Sequence, residues 1–309
     1  MNSTFLGIEI GGTKLQLAVG GGDGCIRERH RFQVDATSGG GGIRKQLAAA
    51  LGSILPVTKP AAIGVGFGGP VEAGTGRICC SHQVAGWADF GLRSWLEGLC
   101  DVPVVVENDA NAAALGEARC GAGHGASPVF YVTLGSGVGG GLVVDGRIFH
   151  GAKPGESEIG HVRLDRDGTV VENRCSGWAV DRRVREAARR EPSGLLAGLV
   201  AGATRGEARY LAPALAAGDA TARRILGETA DDLAFALSHV THLMHPEVIV
   251  VGGGLSLLGE PLRAGVEAAL RRWVMEVFRP GPRVALAGLG EDAVPAGALL
   301  LAATCLRGR

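Results

Sequence analysis

Two stretches far apart in the chain open in the same way, and that duplication limits the folds available. Ile8-Glu9-Ile10-Gly11-Gly12-Thr13-Lys14-Leu15-Gln16-Leu17 runs on to Asp23-Gly24 and a further β-like segment. Val132-Thr133-Leu134-Gly135 continues through Val144 to Asp145-Gly146 and then another. Each reads as a strand, a glycine-rich bend and a returning strand. Glycine there permits φ > 0 and lets backbone N–H groups come close to an anion. One such bend is an ordinary tight hairpin. Two that begin alike predict two related lobes, each offering a phosphate-gripping turn to a shared cleft.

Other glycine signatures fail on context. Gly64-x-Gly66-x-x-Gly69 and Gly135-x-Gly137-x-x-Gly140 satisfy G-x-G-x-x-G in form, but a dinucleotide fingerprint must open a helix at its third glycine. Here Pro70 and turn residues follow the first, and the β-like Leu142-Val143-Val144 follows the second. Gly12-Thr13-Lys14 lacks the G-K-[ST] order of a P-loop and enters a strand. Gly252-Gly253-Gly254, after the apolar run Val248 to Val251, offers a third close approach of backbone.

Residues 5–35 read as β-rich, 43–55 as helical, 61–67 as a strand, 91–99 as helical and 103–106 as a strand. A helix starts at Ala110 and ends in the glycine-rich linker 121–127. Strands follow at 129–134 and 142–149, helices over 177–190, 195–201, 206–216 and 219–243, a strand at 247–251, a helix near 260–273 and a strand near 283–288. Ala296 to Leu306 reads as an apolar closing helix, and 36–42 as a flexible loop. With 309 residues, 46% of them hydrophobic, the chain can bury two cores. Lys+Arg and Asp+Glu are equal at 31, so no overall field favours nucleic acid or an anionic membrane. The start, Met1-Asn2-Ser3-Thr4-Phe5, carries no leader pattern, and no apolar run is long enough to cross a bilayer. Seven scattered cysteines without C-x-x-C predict free thiols in a reducing cytoplasm.

The stretch Val104-Val-Val-Glu-Asn-Asp-Ala-Asn111 places four polar residues where a strand gives way to a helix. Ligands of open α/β sheets bind at that edge. Helix capping is the plain alternative, but a cap needs only one such residue.

Taken together, G-I-E-I-G-G-T-K, G-G-P-V-E, P-V-V-V-E-N-D-A-N-A-A-A-L-G-E, T-L-G-S-G-V-G-G-G, E-I-G-H and V-I-V-V-G-G-G resemble the ROK family (repressors, open reading frames, sugar kinases), in the family's order and over nearly the whole chain. The resemblance implies an α/β, actin-like fold of two RNase-H-like lobes closing on ATP and a hexose. The expected first lobe is 1–120, completed by the C-terminal helix 294–309, and the second is 121–293. By the same resemblance Asp109 is the base that takes the proton from the attacking sugar hydroxyl. Asn108, Glu158, His161 and Glu172 are sugar contacts, and Gly68 of G-G-P-V-E borders them. A solvated carboxylate at a helix start is the competing reading of Glu172. Gly11, Gly12 and Thr13, with Gly135, Ser136 and Gly137, are placed on the phosphates, and Gly253 and Gly254 on the adenosine side. Lys14 is a further phosphate candidate or an ordinary hairpin charge. Glu9 is expected to position Mg²⁺ through water. Glu107 reads as structural, and Asn111 as a loop or cap residue.

The chain departs from the family pattern chiefly in one interval, and less in Glu9 for the commoner Asp and Ser136 for the commoner Thr, which keep their chemistry. Many members carry C-x-C-G-x-x-G-C after the E-x-G-H histidine, whereas Val162-Arg-Leu-Asp-Arg-Asp-Gly-Thr-Val-Val171 has no cysteine. A structural zinc takes four ligands, so the expectation is a zinc-less member. His239, His242 and His245 fit a helix C-terminus better than a metal. Glu156-Ser157, before Glu158, stand where small residues are usual, beside the sugar pocket. No DNA-binding segment fits before Gly7. The reading is an ATP-dependent hexokinase of glucokinase type, self-associating as a homodimer or homotetramer. Fructose, mannose, N-acetylhexosamine or polyphosphate chemistry, and a catalytically silent sugar-binding protein, are the alternatives.

Overall fold

Strand β1 (Phe5–Ile10) turns through three residues into β2 (Lys14–Gly20), antiparallel, with Phe5 opposite Gly20 and Ile10 opposite Leu15. β3 (Ile26–Gln33) pairs antiparallel with β2. After helix α1 (Gly39–Thr58), β4 (Ile63–Phe67) lies parallel to β1. The short strands β5 (Val71–Glu72), β6 (Arg77–Ile78) and β7 (Phe90–Gly91) form a small sheet of their own. Helix α2 (Leu92–Cys100) precedes β8 (Val104–Asn108), parallel to β4, and β8 passes directly into α3 (Asp109–Cys120). The sheet order is β3-β2-β1-β4-β8. This computed structural model describes residues 3–81, 83–155 and 157–306.

The second sheet repeats that plan. β9 (Val129–Leu134), β10 (Val138–Val144) and β11 (Arg147–Ile148) follow one another through tight turns. β12 (Val248–Gly252) then lies parallel to β9, and β13 (Arg283–Leu286) parallel to β12. The order is β11-β10-β9-β12-β13, position for position that of the first sheet. Between β11 and β12 come α4 (Val171–Cys175), α5 (Gly177–Arg190), α6 (Leu195–Leu199), α7 (Leu211–Ala216) and α8 (Ala220–Met244). α9 (Glu260–Trp273) precedes β13, and α10 (Ala293–Thr304) closes the chain. The expected helix 206–216 is a 3₁₀ turn, Glu207–Tyr210, followed by the short α7. Two compact units result: Met1–Gly125 with Gly141–Ser157 and Leu289–Arg309, and Ala126–Gly140 with Glu158–Gly288.

The expected loop at 36–42 is a correction. Gly39 to Gly42 form the first turn of α1. Four glycines cost helix about 1 kcal/mol each, but at Gly40 the turn packs too closely for anything larger. Gly40 N donates to Ala85 O at 2.8 Å, and a Cβ on Gly40 would lie 2.8 Å from Gly86 O and 3.0 Å from the Trp87 indole nitrogen.

Alternation divides the first sheet between two helical layers. Leu6, Ile8 and Ile10, with Ile63, Val65 and Phe67, join one core with Ile43, Leu47, Leu51 and Ile54 of α1. The opposite face carries Phe5, which packs with Leu299 and Ala302 of α10. Gly7, Gly64 and Gly66 share that face, and there α10 nearly touches the strands. A Cβ at Gly64 would overlap the Ala298 carbonyl, with its carbon only 2.8 Å away. One at Gly7 would lie 2.8 Å from Pro295 O, and one at Gly297 of α10 would lie 2.5 Å from the Ala112 carbonyl carbon of α3.

Candidate active site

At the exit of β8, Asn108 caps α3. Its Oδ1 accepts from Ala110 N at 2.9 Å and Asn111 N at 3.1 Å, and its Nδ2 donates to Gly69 O at 3.1 Å. Capping therefore falls to Asn108 alone, and Asp109 is the first helical residue. One Asp109 oxygen, Oδ1, accepts from Ala110 N at 2.8 Å. Its other oxygen faces Gly68: a Cβ there would lie 3.4 Å from Oδ2, and 3.6 Å from the Gly11 Cα. Gly68 N donates to Ile10 O at 2.8 Å. The end of β1, the first glycine turn, Gly68 and the Asp109 carboxylate are thus brought together. Glu107 is buried and accepts from Asn108 N, while Asn111 donates to Glu107 rather than serving as the cap.

Within the first turn Gly11 N donates to Lys14 O at 2.9 Å. Gly11, Gly12, Gly135 and Gly137 all lie outside the left-handed φ range, so the expected use of φ > 0 in these two turns is corrected. Close approach explains Gly12 and Gly137 instead. A Cβ on Gly12 would come within 2.9 Å of the Gln83 Cβ and overlap its amide oxygen. Thr13 is exposed at the tip. Glu9 Oε1 lies 3.1 Å from Lys14 Nζ, and its Oε2 accepts from Gln16 Nε2 at 3.1 Å. Burial pushes the Glu9 pKa up, and the adjacent Lys14 ammonium opposes that only in part. A carboxylate has about four acceptor positions, so Glu9 retains capacity to accept from a metal-bound water. The residues fit outer-sphere Mg²⁺.

In the second unit, Gly135 N donates to Gly137 O at 3.0 Å, and Gly135 O accepts from Gly177 N at 2.7 Å. Ser176 caps α5 through Ala179 N, so the start of α5 abuts this turn. Glu172 is partly buried, and its Oε2 accepts from Val138 N at 3.0 Å, which corrects the picture of a solvated helix-start carboxylate. A Cβ on Gly137 would lie 2.5 Å from that same oxygen. Ile159–His161 form a 3₁₀ turn whose Gly160 backs onto the Val138 carbonyl, leaving Glu158 and His161 exposed with Oε2 and Nε2 4.0 Å apart. Glu156, expected beside the sugar pocket, lies outside the described residues.

A cavity of about 410 Å³ opens beside the second turn, within the usual range for a small-molecule site. Leu134, Leu255 and Leu258 give it apolar walls, and Gly135, Ser136 and Gly254 bring backbone to its edge. Gly253, at φ 78°, holds the adjoining loop against Leu134, whose N would lie 2.6 Å from an added Cβ. Trp178, Asp181 and Arg209 also line the cavity and had no signature in the sequence. Asp181 shapes it by accepting from Gly206 N at 3.2 Å and Ala208 N at 2.7 Å.

Cys175 is buried, and burial pushes its thiol up to about 12. His239 and His245 pack on Phe235 and Phe278, and His242 Nε2 accepts from Met275 N. Among the described residues no group of three or more His, Cys, Asp or Glu is placed to hold a metal.

The sequence profile of the ROK family matches residues 5–305. A glucokinase of Halalkalibacterium halodurans is 32% identical over 309 residues, covering 94% of this chain and 92% of its own. Among solved structures, a ROK family glucokinase from Streptomyces griseus in complex with glucose and AMPPNP superposes with a TM-score of 0.85 at 30% identity, over 97% of this chain and 99% of that one. A ROK hexokinase from Thermus thermophilus gives a TM-score of 0.81 at 28% identity, over 99% and 100%.

Proposed function

The chain belongs to the ROK family, and we propose that Asp109 is the base in its reaction, the transfer of a phosphoryl group from ATP to a hexose. It is a sugar kinase with the actin-like α/β fold. The observation that carries the role of Asp109 is its carboxylate at the strand exit, with Oδ2 turned to Gly68 and the first glycine turn. The sugar hydroxyl gives its proton to Asp109 as its oxygen bonds the γ-phosphorus, and the bond from γ-phosphorus to the β,γ-bridging oxygen breaks to release ADP. Backbone N–H groups of the later residues in the turns at 11–13 and 135–137 stabilise charge on the moving group. Mg²⁺, held through water by Glu9, would neutralise phosphate charge.

The sugar reading is glucose, phosphorylated at the 6-position. Asn108, Glu158, His161 and Glu172 read its hydroxyls, since a ring of groups that both donate and accept suits carboxylate, amide and imidazole partners. The apolar cavity beside Gly135 and Gly254 takes the adenosine. We read the two units as the family's two lobes, the first supplying the base and the second the nucleotide pocket and E-x-G-H. The free cysteines support a reducing cytoplasm, and among the described residues no helix is long and apolar enough to cross a membrane. Exposed Leu243 at the end of α8, and Met275 and Val277 just beyond α9, support self-association, which light scattering would measure.

The test is ADP release with Mg-ATP across a panel of hexoses and N-acetylhexosamines, on wild type and Asp109→Asn. Wild type should turn over glucose. The variant should bind glucose and lose a factor of about 10² or more in turnover. A variant that retains most of its turnover removes Asp109 as the base.

A further inference from the structure

Three side chains from the motifs around Asp109 have no part in the chemistry above, yet all grip one segment. Glu107 is 2% exposed and immediately precedes Asn108. Its Oε1 accepts from Asn108 N at 2.9 Å and Asn111 Nδ2 at 3.0 Å, and its Oε2 lies 2.6 Å from His150 Nε2. Glu107 as a carboxylate can only accept, so His150 donates from Nε2. Asn111 Nδ2 also reaches Gly155 O at 3.4 Å. Glu72, from G-G-P-V-E, pairs with Lys153 Nζ at 2.6 Å. His150, Lys153 and Gly155 all lie between β11 and Glu158-Ile-Gly-His161, where none of the described residues before Ile159 is in a helix or strand.

That stretch is loose by composition. Gly151 and Gly155 both sit at positive φ, 65° and 98°, and glycine loses more conformational entropy on ordering than any other residue. Untethered, the segment would have to be ordered as sugar bound, at a cost to affinity. The three tethers are unequal. The Lys153 pair is exposed and worth little. The bond from His150 to a buried carboxylate is charge-assisted and short.

We propose that Glu107, Asn111 and His150 are positioning residues, a clasp by which the turn carrying Asp109 holds the lead-in to E-x-G-H in place before the sugar arrives. The inference rests on the sugar-kinase reading above. It sets sugar affinity and leaves the nucleotide site, in the cavity beside Gly135, untouched.

Steady-state kinetics with glucose and ATP varied in turn, on wild type, His150→Ala and His150→Gln, tests it. The His150 side chain is 40% exposed, but truncating it takes a donor from buried Glu107, so a melting curve checks that each variant stays folded. His150→Ala should raise the glucose KM about tenfold, with kcat and the ATP KM within about a factor of two. His150→Gln keeps an N–H donor and should restore most of the glucose KM. An unchanged glucose KM in His150→Ala, an equal rise in both KM values, or a glutamine variant no better than alanine would each overturn the clasp while the kinase reading stands. Wild type without sugar-dependent turnover would overturn that reading, and the clasp with it.

Discussion

The second glycine turn contains two glycines with opposite expected tolerances, which makes it a direct test of how the turn is built. An alanine methyl at Gly137 would stand 2.5 Å from Glu172 Oε2. That is well inside van der Waals contact, so the carboxylate must withdraw and release Val138 N, now 3.0 Å away. A hydrogen bond to a charged acceptor contributes about 1.5–3 kcal/mol, so Gly137→Ala should destabilise by about 2 kcal/mol. Gly135, two residues earlier, has as its nearest neighbour the Gly137 oxygen at 4.0 Å, and Gly135→Ala should cost less than about 0.5 kcal/mol. Urea unfolding followed by tryptophan fluorescence would measure both, with Trp178 reporting from the adjoining start of α5. The cycle closes with Glu172→Ala. Once the carboxylate is gone the methyl has room, and Gly137→Ala should add almost nothing, a coupling of about 1.5–2 kcal/mol. Equal costs at Gly135 and Gly137, or additivity in the double variant, would refute the assignment of Gly137 as the space for Glu172.

Two further outcomes follow from packing and burial. Gly64→Ala should destabilise by about 3 kcal/mol, because its methyl would overlap the backbone of Ala298, which no rotamer change can clear; an unchanged thermal midpoint would refute the tight seating of α10. Burial raises the Glu9 pKa above its ordinary 4.5. The folded state therefore holds that proton more tightly than the unfolded chain does, and the contribution of Glu9 to stability is full below about pH 4.5 and lost as pH rises through the folded value. The stability of Glu9→Gln relative to wild type should accordingly improve from pH 4.5 to 8 in urea titrations, and movement in the other direction would refute the sign.

Much of the architecture was legible because hairpins announce themselves locally. The two three-residue bends, their flanking strands and the Asp-Gly turns all follow from short-range pattern. So did the break from β8 to α3, where the polar cluster separated into one cap, one carboxylate at the helix start and two supporting side chains. What the sequence concealed depended on distance along the chain. The bond from Glu172 to Val138 spans 34 residues, and Trp178 and Arg209 meet at one cavity from separate elements. The segment at 85–87 lies against Gly39 and Gly40 at the start of the helix, a contact no local propensity encodes. One long-range feature did leave a mark. Gly64 and Gly66 alternate with Ile63, Val65 and Phe67, the period of a strand with one face bare, and α10 lies on that face through Ala298 and the backbone of Pro295 and Ala302.

The two turns also use their glycines differently from the first expectation, and the difference bears on phosphate binding. Neither needs a left-handed backbone. Each turn leaves space at one glycine, Gly12 or Gly137, for a side chain arriving from elsewhere in the same unit, an amide from Gln83 in the first and the Glu172 carboxylate in the second. In each, the leading N–H is spent inside the turn, Gly11 on Lys14 O and Gly135 on Gly137 O, and in the second Val138 N is spent on Glu172. Donors for an anion must then come from the later residues of each turn rather than from its first glycine. The bracing that occupies these groups also fixes the rest, and a preorganised donor needs no reorganisation when charge develops on the transferring phosphoryl group. Bracing the second turn with a carboxylate places a negative charge beside the proposed phosphate site. That arrangement is sustainable because the Glu172 charge is engaged by Val138 N on the flank of the turn, so its repulsion is partly compensated where it arises.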